Sequence, residues 1–280
     1  MTKTLRHPAS EQRSQASILI VLIGLLALSA CDTTGVGGTS GSAESRAQRM
    51  ASNGDHNEAA GAYMGLAIGA VGTERDRYTL LAVEQFLDAG DVTRARSALR
   101  DVPRPSSGPL QPLWDTDRAA LYLYNGDADT ALELLEPLSR QSLSRRDRLR
   151  VEVLRADAWI QKQDPTRAIE LMTQRETWLN NNRDVERNRA RLWQGLLVSS
   201  PTVLRDAAQT NTDPVVQGWL TISSIAASTG QQGVGWSNGL FRWRADNPNH
   251  PAMTVLGDLD LPEHLLLDYP RQIALLLPLS

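Results

Sequence analysis

Four segments repeat one another at nearly constant spacing: NGDHNEAAGAY at 53–63, AGDVTRARSAL at 89–99, NGDADTALELL at 125–135 and KQDPTRAIELM at 162–172. Their alanines, Ala59, Ala95, Ala131 and Ala168, stand 36, 36 and 37 residues apart. Four residues ahead of each Gly-Asp pair, or of Gln163-Asp164 in the last copy, come Met50, Phe86, Tyr122 and Trp159. A period of this length marks stacked supersecondary units, each too small to bury its apolar face alone. Each copy reads as a helix, a tight turn and a second helix. Gly54, Gly90 and Gly126 fit the left-handed position that closes a helix, and Asp55, Asp91, Asp127 and Asp164 fit the N-cap of the next. Pro165 falls at the first helical position, where its missing N–H removes no bond. The small alanine lets the two helices approach, and Tyr63, Leu99, Leu135 and Met172 fill the space beside it. The spacing predicts an all-α fold, a tetratricopeptide-like solenoid of helical hairpins over residues 44–246.

The repeated aspartates could be paired catalytic carboxylates, but residues recurring at the repeat period lie about one repeat apart, and helix capping is the simpler role. The arginine-rich stretch 140–155 (RQSLSRRDRLRVEVLR) could bind an anion or partner. Its interleaved Leu143, Leu149, Val151, Val153 and Leu154 read instead as a helix with a solvated charged face. The tryptophans at 159, 178, 193, 219, 236 and 243 read as packing residues and not as a ligand cage. Residues 101–112, with four prolines, read as a stiff exposed connector. Beyond about residue 175 the repeat decays. Residues 191–209 and 215–232 still read as helices, punctuated by Pro201 and Pro214 and followed by a glycine-rich break at 230–239.

At the other end, Lys3, Arg6 and Arg13 precede an apolar run from Ile18 to Leu28, too short to span a bilayer, which takes about 20 residues. It fits the apolar core of a secretory signal over residues 1–30. The run ends in Leu28-Ser29-Ala30-Cys31, which resembles the bacterial lipobox and would make Cys31 the acylated first residue of the mature chain. The alternative is an ordinary signal peptide followed by an incidental cysteine. Several acyl chains at about 0.8 kcal/mol per buried CH₂ would anchor the protein to a membrane. The Gly/Ser/Thr-rich stretch that follows, residues 31–43, reads as a flexible leash with a reach of roughly 20 Å.

Charge and residue inventory exclude several functions. A net charge of −3 with 5% aromatic residues gives no footprint for nucleic acid. The single cysteine permits neither an internal disulfide nor a cysteine-rich zinc site. His7, His56, His250 and His264 are scattered, and no HExxH, GxSxG, GxxxxGK or GxGxxG motif occurs. The chain is therefore expected to be no enzyme and to carry no cofactor or metal.

From Asn247 the sequence turns linker-like through residue 271, with Pro248, Pro251, Pro262 and Pro270. Residues 272–280 then form an apolar run that reads as the first β-strand of an α/β domain. No such domain follows in the sequence, so the chain reads as a fragment or a truncated product. Leu192-Trp193-Gln194-Gly195-Leu196, Gly218-Trp219-Leu220, Trp243 with Asn247-Pro248-Asn249-His250-Pro251-Ala252, and Ile273-Ala274-Leu275-Leu276-Leu277-Pro278-Leu279, together with the lipobox, the leash and the hairpins, resemble the N-terminal half of the LpoA (LppC) lipoproteins. These are penicillin-binding protein activators of Gram-negative bacteria. The resemblance implies an outer-membrane lipoprotein that reaches through the peptidoglycan and stimulates a class A penicillin-binding protein, mainly its transpeptidase activity. It also implies that the solenoid is followed by a periplasmic-binding-protein-like domain, the part that contacts the synthase and that is absent here apart from its first strand. Asp32, directly after the cysteine, is a residue type that in enteric bacteria favours inner-membrane retention. The competing assignment is a tetratricopeptide-type lipoprotein scaffold in outer-membrane protein assembly.

Overall fold

The computed structural model describes residues 39–256. Among them the chain forms twelve α-helices and one 3-10 turn. They are α1 (Thr39–Asn53), α2 (His56–Gly69), α3 (Gly72–Asp88), α4 (Val92–Arg100), α5 (Leu110–Tyr124), α6 (Ala128–Ser139), α7 (Arg145–Gln161) and α8 (Pro165–Glu176). They continue with α9 (Asn182–Leu197), α10 (Pro201–Thr210), α11 (Pro214–Thr229), α12 (Gly233–Asp246) and the 3-10 turn Pro251–Thr254.

The turn inside each of the first four hairpins follows from local hydrogen bonding. The N–H groups of Asp55, Asp91, Asp127 and Asp164 donate to the carbonyls of Met50, Phe86, Tyr122 and Trp159 at 3.0, 2.8, 3.0 and 2.9 Å. This bond, spanning five residues, closes a helix end when the residue before the donor is left-handed. Gly54, Gly90 and Gly126 take φ of 92°, 76° and 79° there, and Gln163 takes 58°. The same aspartates face forward as caps: Asp91, Asp127 and Asp164 accept from the N–H groups of Arg94, Thr130 and Arg167 at 2.9, 3.1 and 3.2 Å. Asp55 makes no such side-chain bond. Ala59, Ala95, Ala131 and Ala168 have no exposed surface, and Tyr63, Leu99, Leu135 and Met172 are buried beside them.

From α3 onward the odd-numbered helices stack on one another in succession; α3, α5, α7 and α11 are each backed by the even-numbered helix that follows, whereas α10 packs on α11 and α8. The apolar interior falls into two clusters. One runs from Ala47 to Leu121, and the other from Ala119 to Ala252. They meet at α5.

The structure departs from the sequence expectations at five places. Helix α1 opens at Thr39, so residues 39–43 of the expected leash are helical, extended by a bond from Ser45 Oγ to the Gly41 carbonyl. Helix α5 begins at Leu110, inside the proline-rich connector, and takes Pro112 into its first turn, where an imino group displaces no helical bond. The preceding Val102 is buried, with its carbonyl accepting from Trp114 Nε1 at 3.1 Å. Past residue 175, where the Gly-Asp signature has gone, the helices continue but their pairing changes: α10 packs on α11, and α11 on α12. The glycine-rich stretch 230–239 lies largely within α12, because a Cβ on Gly239 would come within 2.6 Å of Ile225; the glycine permits close helix contact. Residues 247–256 are packed onto the solenoid and are not a linker: His250 and Ala252 are buried, and the 3-10 turn lies against α9 and α11.

Candidate functional site

Ion pairs join successive odd-numbered helices at a separation close to one repeat. Glu44 of α1 takes a two-pronged bond from Arg77 of α3 at 2.8 and 2.9 Å, which holds its carboxyl below the usual value. Asp117 of α5 meets Arg150 of α7 at 3.1 Å, and Asp157 of α7 meets Arg191 of α9 at 2.5 Å. The series has one irregularity. At position 117, about one repeat after Glu84 of α3, the chain offers an acid instead of a base. Arg150 therefore reaches past α5 to Glu84 at 3.1 Å and to Asp88 at 3.6 Å, and Arg146 pairs with Glu84 as well.

Three carboxylates and two arginines thus occupy the seam between the two apolar cores. Arg150 is 12% exposed at its side chain and Asp117 is 1% exposed. Burial drives the Asp117 carboxyl well above its ordinary value of 3.8, aided by the charge of Glu84 and opposed by Arg150. Burial also works against ionised Glu84, but Arg150 and Arg146 outweigh it and hold that carboxyl low. Asp117 Oδ2 and Arg150 Nε have no partner among the described residues. Beside this network a groove of about 610 Å³ is lined by Glu44, His56, Arg77, Glu84, Asp88 and Arg146, among others.

A second assembly gathers segments that are far apart in the chain. His250 Nδ1 accepts the Ala252 N–H at 3.1 Å, so its Nε2 carries the proton and donates to the Val215 carbonyl at 2.8 Å. Burial holds its pKa below the ordinary 6.5. The ring meets Trp219 and Trp243 edge-on, with centroids 5.6 and 5.0 Å away. Trp243 Nε1 donates to the Gly218 carbonyl at 2.9 Å, and Asn247 Nδ2 to the Trp243 carbonyl at 2.9 Å. A Cβ on Gly218 would lie 2.5 Å from His250 Nε2, so only glycine permits this approach. The segments 218–220, 243 and 247–252 therefore form one clamp on the end of the solenoid, near buried Trp193 and Leu196 of α9. Their joint function is packing.

The residues singled out by the repeat sort by position. Phe86 is buried, whereas Tyr122 and Trp159 are half-buried. Phe86 and Trp159 each lie under an arginine from the following helix, with Arg94 and Arg167 at 4.7 and 4.2 Å from the ring centroids. These arginines come from the residues whose N–H groups the aspartates cap. Cys31 lies outside the described residues, as do the signal segment and residues 272–280. The arginine-rich stretch is not one solvated face. Arg150 is buried as above, and Arg155 is clasped by Glu152 at 2.5 Å and by Glu136 at 2.8 Å. A heptad-scale reading could not show this, because Glu84 and Asp117 sit 66 and 33 residues upstream of Arg150. Among the described residues no helix is long and apolar enough to cross a membrane, and no cluster of three His, Cys, Asp or Glu could hold a metal.

Residues 53–280 match the family model described as "LppC putative lipoprotein". The chain belongs to the LppC family. Among curated relatives, the penicillin-binding protein activator LpoA of Vibrio vulnificus is 24% identical over 220 residues, 78% of this chain. That of Haemophilus ducreyi is 25% identical over 209 residues, 72% of this chain. In both cases the chain spans 36% of the relative's length. Among solved structures, the LpoA N-terminal domain of Haemophilus influenzae superposes with a TM-score of 0.56 at 20% identity, covering 74% of this chain and 91% of that one. Full-length LpoA of the same organism gives 0.54 at 19%, covering 74% and 37%. These likenesses show that the helical-hairpin fold is that of the LpoA N-terminal domain.

Proposed function

We propose that the chain is a non-enzymatic lipoprotein regulator of peptidoglycan synthesis that stimulates the transpeptidase activity of a class A penicillin-binding protein. In this reading Cys31 carries the lipid and holds the protein at the periplasmic face of the outer membrane, and the solenoid serves as spacer and docking arm. The observation that carries it is the family match over residues 53–280, with relatives named as penicillin-binding protein activators. The geometry supports a binding module: Asp91, Asp127 and Asp164 accept backbone N–H bonds as helix caps, and Glu84 and Asp117 meet the guanidinium of Arg150. Stacked hairpins supply an extended surface suited to a macromolecular partner.

Depletion in the native cell tests the reading. Altered wall cross-linking with normal porin assembly is the expected result. Defective porin assembly with normal cross-linking would replace the regulator by an assembly scaffold. A Cys31→Ser variant is expected to lose membrane association, and one retained in the outer membrane would overturn the anchor assignment.

A further inference from the structure

Charge is segregated along the solenoid. Residues 44–139 carry nine basic and fifteen acidic side chains, whereas residues 140–191 carry thirteen basic and eight acidic. Carboxylate pairing divides the arginines of the basic part into two sets. Arg146, Arg150, Arg155, Arg167, Arg187, Arg189 and Arg191 meet Glu84, Asp117, Glu136, Asp164, Asp184, Glu176 and Asp157 respectively. Arg140, Arg145, Arg148, Arg175 and Arg183 meet no carboxylate within 4 Å among the described residues.

Two of the second set, Arg145 and Arg148, meet Trp178, and a third, Arg175, is likewise held by neutral acceptors. Arg145 Nε donates to the Trp178 carbonyl at 2.6 Å. Arg148 sits 5.5 Å from the Trp178 ring centroid and donates Nη2 to the Gln141 carbonyl at 3.0 Å. Arg175 donates Nε to the Leu149 carbonyl at 2.9 Å and Nη1 to Asn188 Oδ1 at 2.5 Å. A carbonyl holds a guanidinium in place without neutralising it, so the charge stays uncompensated while the side chain gives up its rotational freedom in advance. For Arg145 and Arg148 all but one of the N–H groups are unmet among the described residues. Burial, and after it the like charge of Arg191, act against charged Arg175. Arg145 and Arg183 are exposed, and Arg148, Arg175 and Trp178 are half-buried.

We propose that this edge of α7, centred on Arg145, Arg148 and Trp178, binds the free carboxylates of cell-wall stem peptides. Guanidinium forks match carboxylates in a two-pronged, planar geometry. The indole beside them offers an apolar surface to the peptide methyl groups and N-acyl sugars that accompany those carboxylates. The inference rests on the wall-directed reading of the family, which places such a polymer around the protein, and it gives the solenoid a contact separate from any synthase.

The test is co-sedimentation of the full-length mature protein with purified sacculi. Binding is expected to weaken between about 20 and 300 mM salt. It should fall about tenfold in Arg145→Gln/Arg148→Gln at unchanged helical circular dichroism, and should vanish when an amidase has stripped the stem peptides from the glycan. Arg145→Gln alone, at an exposed position, provides a second variant should the double one misfold, with an expected drop of about threefold. Undiminished binding by folded variants, equal binding to bare glycan strands, or binding to phosphatidylglycerol vesicles or an acidic protein in place of sacculi would overturn the proposal. Synthase stimulation measured on the same preparations separates the two readings. Stimulation without sacculus binding defeats this inference alone, whereas sacculus binding without stimulation defeats the activator function.

Discussion

Asp117 occupies the position where the fold compensates a buried charge least. It shares Arg150 with Glu84 and Asp88, and one of its oxygens has no partner among the described residues. Its pKa in the folded chain lies above the ordinary 3.8, so the native state keeps a proton that the unfolded chain releases. The stability linked to that proton is complete below pH 3.8 and is lost as pH rises through the folded value. An amide cannot ionise, so Asp117→Asn is expected to melt above the natural protein at pH 8, by about 1–3 kcal/mol, with the gap closing on acidification. A pH series of thermal melts for the two proteins checks this; a gap that widens toward low pH would contradict it. Gly218 is constrained by space instead. Gly218→Ala drives a Cβ into His250 and is expected to destabilise the clamp by about 2 kcal/mol, measurable by urea unfolding. Exposed Gly61 has nothing within 4 Å of its would-be Cβ, and Gly61→Ala is expected to be neutral or slightly stabilising.

The hairpin is the element at which sequence and structure correspond best, because its turn is made by neighbours in the chain. A left-handed glycine and a capping aspartate leave a local imprint, and three of the four aspartates make the cap bond. Asp127→Ala is accordingly expected to cost about 1 kcal/mol, whereas Asp55→Ala, with no side-chain cap bond to lose, should cost a few tenths at most. Guanidinium melts of the two variants compare them directly. Where a partner lies a repeat or more away, the sequence is mute. Nothing near Arg150 in the chain announces Glu84 or Asp117, so periodicity assigned it to a solvated face. The glycines of α12 resemble a break because glycine usually ends helices, yet Gly239 admits Ile225. The pattern Asn247 to Ala252 looked like a linker for its prolines, although His250 locks it between two tryptophans. The segments that carried the family resemblance near the C-terminal end of the solenoid turn out to be one packed assembly.

Across the whole molecule, a stack of hairpins transmits disruption chiefly between neighbours, and the polar seam at α5 is where the two apolar cores join. Ala131 has no exposed surface on α6, so Ala131→Trp is expected to overpack the third hairpin by about 2–3 kcal/mol and lower the melting temperature; an unchanged melt would argue against the stacked arrangement. Buried charge networks add little net stability relative to apolar packing, and the ion pairs of the seam join α3, α5 and α7. The acidic first half and the basic α7–α9 region give the solenoid two electrostatically distinct stretches. In the proposed function this chain raises peptidoglycan cross-linking by acting on the enzyme that performs it. The most direct measurement is the cross-linked fraction produced in vitro by a purified class A penicillin-binding protein from its lipid-linked precursor, with and without the native protein extracted from membranes. A rise in cross-linking at equimolar protein, accompanied by complex formation, is the predicted result. Unchanged cross-linking with no complex would contradict the account.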